Sequence, residues 1–307
     1  MRAWFIGSGA FAAACLAHMS KRLAFEKIIT GHPTRSGRGL KECASCVEEA
    51  AGELGLSVER TGPLDRNEKL LEAVSSAPPD VIFVVDFGQL VKEPFLNAPR
   101  YGCLNVHPSL LPRWRGAAPI QRALLNGDAV TGATVFRLVK ELDAGPILTR
   151  VELSIPLAAT SVELFDILAL AGSQIAIAGI ESLIDGSYQF LDQNSEFATY
   201  AAKLTKEEAR VSWSQNYLFF HNTVRAFASS TGAFAVVLGK RVKLWRTVPV
   251  DAEGAPGEVL YFLDGDPVVA CAGGAVRLEV VQSEGKRKIS GADWACGGRL
   301  KMGGVLT

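Results

Sequence analysis

The sequence predicts an α/β protein: a doubly wound, mostly parallel sheet followed by a small β-barrel domain, OB-like in character. Three observations carry this reading. Through the first half of the chain, short apolar runs alternate with segments of helical period. Several of those runs, Val81-Ile-Phe-Val-Val85 above all, are apolar throughout, as strands covered on both faces should be. In the last third the pattern changes to short alternating runs separated by Gly and Asp, the pattern of a small antiparallel barrel.

Taken in order, the apolar runs place strands at 3–6, 27–30, 58–60, 81–85, 103–106, 133–138 and 147–153. Helical spacing places helices between them at 10–22, 46–54, 66–75 and 117–125. A long helix is predicted at 161–184, opened by Thr160-Ser161 with Glu163 close behind as a cap and acidic first turn. From Asp185 the pattern lapses into Gly, Ser, Gln and Asn with aromatics, which reads as a linker. A helix at 214–227 then precedes strands at 234–238, 242–250, 257–262, 268–271 and 276–282. The expected division is a catalytic domain over 1–187, a linker over 188–205 and a C-terminal domain over 206–307.

Bulk properties narrow the class. The 307 residues carry 32 Lys+Arg and 32 Asp+Glu, so total charge does not point to a nucleic-acid partner. Charge placement does more: from Lys206 onward there are 13 Lys/Arg against 10 Asp/Glu, with clusters at Lys240-Arg241-Val-Lys243-Leu-Trp245-Arg246 and Lys286-Arg287-Lys288. The six cysteines are scattered, as expected for free thiols in a reducing compartment. Cys43-x-x-Cys46 lacks a second such pair and a nearby His, so it reads as chance spacing rather than a zinc or redox motif. The N-terminus does not read as a signal peptide, and the apolar stretch over 162–184 is interrupted by Glu163, Asp166, Ser173, Gln174 and Glu181. A cytoplasmic protein is expected.

Two motifs invite a chemical reading. Gly7-Ser-Gly9-Ala-Phe-Ala12 fits the Gly-rich turn of dinucleotide-binding folds, so a nicotinamide-dependent reductase is an alternative. The second strand, however, ends Ile29-Thr30-Gly31-His32 without the acidic residue that would hold a ribose. The stronger motif is Asn105-Val-His107-Pro-Ser-Leu-Leu-Pro-Arg-Trp-Arg-Gly-Ala-Ala-Pro119. Asn105 and His107, two apart at a strand end, project together. Leu142-Asp143-Ala-Gly145 follows another apolar segment and adds a carboxylate. Asn, His and Asp in one crevice suit acyl-type transfer: donors for an oxyanion and an acceptor for a proton. A turn amide with a core histidine is the bland alternative for Asn-x-His alone. Pro108 removes a backbone N–H directly after His107.

This run, with Ile120-Gln121-Arg122, Thr131-Gly-Ala-Thr134 and Thr199-Tyr-Ala-Ala-Lys203-Leu-Thr-Lys206-Glu207-Glu208-Ala-Arg210, closely resembles the methionyl-tRNA formyltransferases, within the wider family that transfers formyl from 10-formyltetrahydrofolate. The resemblance spans nearly the whole chain. It implies Asn105, His107 and Asp143 as catalytic residues. It also implies 10-formyltetrahydrofolate as co-substrate and methionyl initiator tRNA as acceptor; no metal, no membrane contact and a monomer are expected.

The matching folate loop is Asp86-Phe87-Gly88-Gln89-Leu90-Val91, where Asp-Phe replaces the family's usual Ala-Tyr, with Ser109, Leu110, Leu111 and Pro112 completing the slot. For tRNA the resemblance points to Arg35, Arg38 and Lys41 in the basic loop after the second strand. Lys206, Arg210, Lys240, Arg241, Lys243, Lys286, Arg287 and Lys288 would add phosphate contacts. Gly-Ser-Gly replaces the family's Gly-Thr-Pro at the first turn, and Ala228-Ser-Ser-Thr231-Gly232 replaces its Asn-Pro-aromatic-Pro. A formyltransferase for an amino-sugar nucleotide and a noncatalytic tRNA-binding protein are the remaining alternatives.

Overall fold

The structure, a computed structural model, describes residues 1–36 and 41–306. In chain order its elements begin with β1 (Ala3–Gly7), α1 (Ala10–Met19), β2 (Phe25–Gly31), β3 (Thr34–Ser36), β4 (Lys41–Cys43), α2 (Cys46–Glu53), β5 (Glu59–Thr61) and α3 (Glu68–Ser76). They continue with β6 (Val81–Val85), β7 (Cys103–His107), β8 (Arg115–Gly116), α4 (Pro119–Asn126), β9 (Val130–Arg137), β10 (Ile147–Ser154) and α5 (Ser161–Ile184). The remainder are β11 (Tyr200–Ala201), α6 (Tyr217–Phe227), β12 (Ala233–Val237), β13 (Lys240–Val250), β14 (Val259–Leu263), β15 (Asp266–Cys271), β16 (Gly274–Ser283), β17 (Ile289–Ser290) and α7 (Gly291–Gly297).

Two compact units emerge. One comprises Met1–Gly116, Thr131–Leu153 and Phe165–Tyr200; the other comprises Ala117–Val130, Ser154–Leu164 and Ala201–Thr307. These units draw residues from several stretches of the chain, where the sequence reading divides it into consecutive blocks. The segments 117–130 and 154–164 pack with the later residues. Arg122 reaches the Glu208 carboxylate, and buried Arg225 donates to the carbonyls of Pro156 and Leu157 at 3.3 and 3.4 Å. A boundary read along the chain cannot register such side-chain contacts.

The first unit is built on a seven-stranded sheet ordered β10-β9-β7-β6-β1-β2-β5. β1 pairs in parallel with β2 and β6, β6 with β7, and β2 with β5, while β7 and β9 are antiparallel. Every residue of β1 and β6 is buried, which explains their unbroken apolar character. The chain leaves β1 on one side for β2 and returns on the other as β6, so the strand order reverses there, where such folds hold ligands. Ser45 caps α2 by accepting from Glu48 N at 3.0 Å, and Asn67 caps α3 by accepting from Leu70 N at 3.2 Å. α5, 24 residues long, has a mean hydropathy of 1.8 over its best window and is long and apolar enough to cross a membrane. Leu168, Ala169, Ala176, Ile177 and Ile180 along it are buried within the protein, as in a core helix.

The second unit carries an antiparallel sheet ordered β12-β13-β16-β15-β14, with β17 beside β16. Among the described residues the ladder is an open path ending at β12 and β14. On β13, Val242 and Leu244 are buried, while Arg241 is exposed and Lys243 half-buried, the alternation expected of a sheet with one covered face. The capping box read from sequence at the head of α5 forms: Glu163 accepts from Thr160 N at 2.7 Å, and Glu163 N donates to Thr160 Oγ1 at 3.4 Å. The sequence reading missed the short β3, β4, β8, β11 and β17 and the helix α7, elements too brief to show a period.

Candidate active site

β7 delivers Asn105 and His107 to the same face, as their spacing requires. Asn105 Nδ2 donates to Val84 O at 2.7 Å, which orients the amide. A primary amide has two N–H groups, and no described residue takes the other. His107 is buried, its ring edge-on to Phe136. Its Nε2 lies 2.9 Å from Trp114 O. A carbonyl only accepts, so Nε2 carries the proton, leaving Nδ1 to face the Asp143 carboxylate 3.8 Å away. Asp143 is itself buried, and its Oδ2 accepts from Gly116 N at 2.8 Å. The structure thus brings the three predicted catalytic residues into one unit.

Backbone strain marks the same place. Trp114 and Asp143 hold φ of 63° and 50°, left-handed values that non-glycine residues rarely adopt. Trp114 thereby aims its carbonyl at His107, and Asp143 turns its carboxylate back toward the ring. Gly145 lets the loop close: a Cβ there would collide with Arg137 O. Pro108 follows the last residue of β7, beyond the ladder that pairs His107 with Thr134, so its missing N–H takes no bond from the sheet.

The site also contains two residues that sequence reasoning did not select. Buried Arg115 donates through Nε and Nη2 to Gln193 Oε1, at 3.2 and 2.8 Å. Gln193 Nε2 donates in turn to Asp143 O and Gly145 O at 2.8 and 2.7 Å. Gln193 lies within the expected linker, where polar residues without a period read as solvated. That segment is instead tied to the first unit: Leu191 and Ile147 exchange backbone hydrogen bonds of 2.8 and 2.7 Å, and Thr199 accepts from Trp114 N and Arg115 N. No local sequence signal marks Gln193.

The Gly-rich first turn is filled by protein. Ser8 N and Gly9 N donate to Asp86 O at 3.2 and 2.9 Å, and Phe11 N donates to Asp86 Oδ2 at 3.3 Å. A Cβ on Gly9 would collide with that Oδ2. The carboxylate sits where a dinucleotide's pyrophosphate would meet the helix N-terminus, so the turn is an internal cap. Within the expected folate loop, the Asp86 carboxylate thus has a partner inside the protein. Asp86 keeps an exposed edge, yet the protein crowded around its carboxyl pushes its pKa up, against the lowering effect of the Phe11 N–H.

The rest of the expected folate loop divides. Val91 is buried in the core with Phe95 and Leu96, and Leu90 is exposed. Phe87, Gly88 and Gln89 line a cavity of about 700 Å³ with Ser8, Thr61 and Pro63. A second cavity of about 450 Å³, not foreseen from sequence, is lined by Leu96, Gly102 and the stretch from Arg137 to Glu141 that runs into Asp143. Ser109 and Leu111 serve the turn after β7. Ser109 Oγ donates to Arg113 O at 2.7 Å, Leu111 N donates to Thr134 Oγ1 at 3.1 Å, and both residues are buried. Leu110 packs against Gly132, and Pro112 O accepts from Thr199 N.

Of the basic residues, Arg38 lies outside the described residues, and Arg35 and Lys41 fall on the paired strands β3 and β4, opposite Glu42 and Ser36. In the second unit Lys206, Arg210, Lys240, Arg241, Lys286, Arg287 and Lys288 are exposed and Lys243 is half-buried. The two clusters meet at Trp245. Lys288 Nζ stands 3.3 Å and Lys243 Nζ 5.6 Å from its ring centroid, and Trp245 Nε1 donates to Gln282 at 3.0 Å. Trp245 is the extra residue of a bulge, between pairs Leu244–Val281 and Arg246–Val280, which re-aims it. Arg241 lies over Phe234, 3.6 Å from its ring centroid.

Comparison with known proteins agrees with this architecture. The formyl transferase family matches residues 1–180, and the formyl transferase C-terminal domain matches residues 203–299. A methionyl-tRNA formyltransferase of Neisseria meningitidis is 36% identical over 308 residues, covering 100% of both chains. One from Magnetococcus marinus is 39% identical over 267 residues, covering 87% of this chain and 85% of its own. Among solved structures, HypX from Aquifex aeolicus in complex with tetrahydrofolic acid superposes with a TM-score of 0.65 at 20% identity, over 96% of this chain and 47% of that one. The chain belongs to the formyl transferase family and, within it, to the methionyl-tRNA formyltransferases.

Proposed function

We propose that the chain transfers the formyl group of 10-formyltetrahydrofolate to the α-amino group of methionyl initiator tRNA, in the cytoplasm, for translation initiation. The observation that carries this reading is the grouping of Asn105, His107 and Asp143 at the end of β7 in a chain aligned along its whole length with methionyl-tRNA formyltransferases.

The amine nitrogen attacks the formyl carbon, and the carbonyl oxygen becomes an oxyanion. The free N–H of Asn105 stabilises that charge, one such donor being worth about 2.7–4 kcal/mol, and the ring of His107, once it takes a second proton on Nδ1, adds its positive charge beside it. Asp143, facing Nδ1 of that ring, takes the proton shed by the amine, directly or through water. The oxyanion then collapses to the new amide carbonyl as the C–N bond to the folate N10 breaks, and N10 receives the proton that the amine shed. No enzyme nucleophile enters the sequence. Phe87, Gly88 and Gln89 border the folate slot in this reading. The basic patch around Trp245 meets tRNA phosphates, with Arg35, Arg38 and Lys41 near the acceptor end.

The test is to offer charged initiator tRNA with 10-formyltetrahydrofolate and assay for formyl-methionine. A uridine-linked amino sugar serves as control acceptor. Formylation of the tRNA alone is expected; formylation of the sugar alone would overturn the reading.

A further inference from the structure

Gln193 makes four hydrogen bonds, and all serve the loop that carries Asp143. Two come from Arg115 to its Oε1, and two go from its Nε2 to the carbonyls of Asp143 and Gly145. The chemistry leaves one orientation for the amide. A guanidinium has only donors and a carbonyl only accepts, so the oxygen must face Arg115 and the NH₂ must face the loop. Arg115 therefore sets which way the amide points. The amide then bridges the carbonyls on either side of Ala144.

This bridge acts on a strained segment. Asp143 sits at φ 50°, and its carboxylate faces His107 while accepting from Gly116 N. Arg115 and Gly116 are adjacent, so the β8 segment grips the loop twice: through Gln193 at the backbone and through Gly116 N at the carboxylate. Thr199, which accepts from Arg115 N at 2.8 Å, fixes β8 to the same stretch of chain that presents Gln193.

We infer that Gln193, oriented by Arg115, is a positioning residue that holds Asp143 in its strained conformation and so sets the rate of the formyl-transfer step. The inference rests on the proposed function for its kinetic meaning. Gln193→Glu is the informative change: a carboxylate still accepts from Arg115 but offers no N–H to the two carbonyls. Gln193→Leu removes both sets of bonds without adding charge, and carries the same measurements if the Glu variant does not fold.

Steady-state formylation, melting temperature and hydrogen exchange at the Gly116 amide are measured for each. A displacement of Asp143 by about an ångström predicts a kcat lower by about 10- to 100-fold with KM for both substrates little changed, alongside the fall in melting temperature that loss of buried hydrogen bonds brings. Gly116, losing its carboxylate acceptor, should exchange faster. An unchanged kcat, a kcat loss accompanied by a matching rise in KM for both substrates, or unaltered Gly116 protection would overturn the inference. If the parent chain formylates nothing, the functional reading fails, while Gly116 exchange, which needs no substrate, still decides the role of Gln193.

Discussion

The carboxylate of Asp86 caps the first helix: its Oδ2 lies 3.3 Å from Phe11 N, at the point where a Gly-rich turn would otherwise receive a phosphate. Asp86 O takes Ser8 N and Gly9 N as well, so one residue at the end of β6 holds the whole turn. It does so at φ 43°, strained like Trp114 and Asp143. The same contacts exclude the dinucleotide reading of the turn and anchor the loop that leads to Phe87, Gly88 and Gln89.

Gly9→Ala should therefore destabilise the chain by about 1–3 kcal/mol through overpacking against that carboxylate. Asp86→Ala alone should cost about 1 kcal/mol through loss of the cap. In the double variant the Gly9→Ala penalty should shrink, because the clashing atoms are gone. Urea unfolding of the four proteins checks this; additive losses would refute the contact.

Asn105→Ala and Asp143→Asn should each lower kcat by about 10²–10³-fold, the cost of an oxyanion donor or of a positioned proton acceptor. Affinity for the charged tRNA, measured by filter binding, should stay within about twofold, since neither residue is assigned a contact to the tRNA body.

Lys243→Ala combined with Lys288→Ala should weaken tRNA binding and flatten its salt dependence, by about one unit of slope for each phosphate that is no longer neutralised. Turnover at saturating tRNA should be unchanged. Arg38→Ala should raise KM for charged tRNA and leave that for folate alone. Salt titrations of binding and steady-state kinetics separate the two effects.

His221 predicts a pH dependence of stability. It is buried in α6, its Nδ1 2.9 Å from Thr247 Oγ1 and its Nε2 2.8 Å from Leu157 O. Desolvation, opposed by the Leu157 carbonyl and aided by Arg225, pulls its pKa down to about 4. The unfolded chain, with a His pKa near 6.5, binds the proton first, so stability is full above about pH 6.5 and is lost as pH falls toward about 4. The contribution is about 3 kcal/mol. Melting curves between pH 7 and 4 should fall more steeply for the parent than for His221→Gln, which has nothing to protonate.

The fold class was legible in the sequence, and so was the grouping of Asn105, His107 and Asp143 that the structure brings together. Fully buried strands such as β6 must be apolar throughout, and a two-residue spacing on a strand commits Asn105 and His107 to one face. The Thr160–Glu163 cap was legible for the same reason: its partners are three residues apart and their chemistry is local. Contacts between residues far apart in the chain became visible only in the fold. It set the Asp86 carboxylate on the helix that the Gly-rich turn opens, joined two basic clusters around a bulged Trp245, and moved residues 117–130 and 154–164 into the second unit. It also turned an apparent linker into the support of Asp143 through Gln193. Side-chain hydrogen bonds to loop backbone have no periodicity, so they leave no pattern along a sequence and become visible only once the chain has folded.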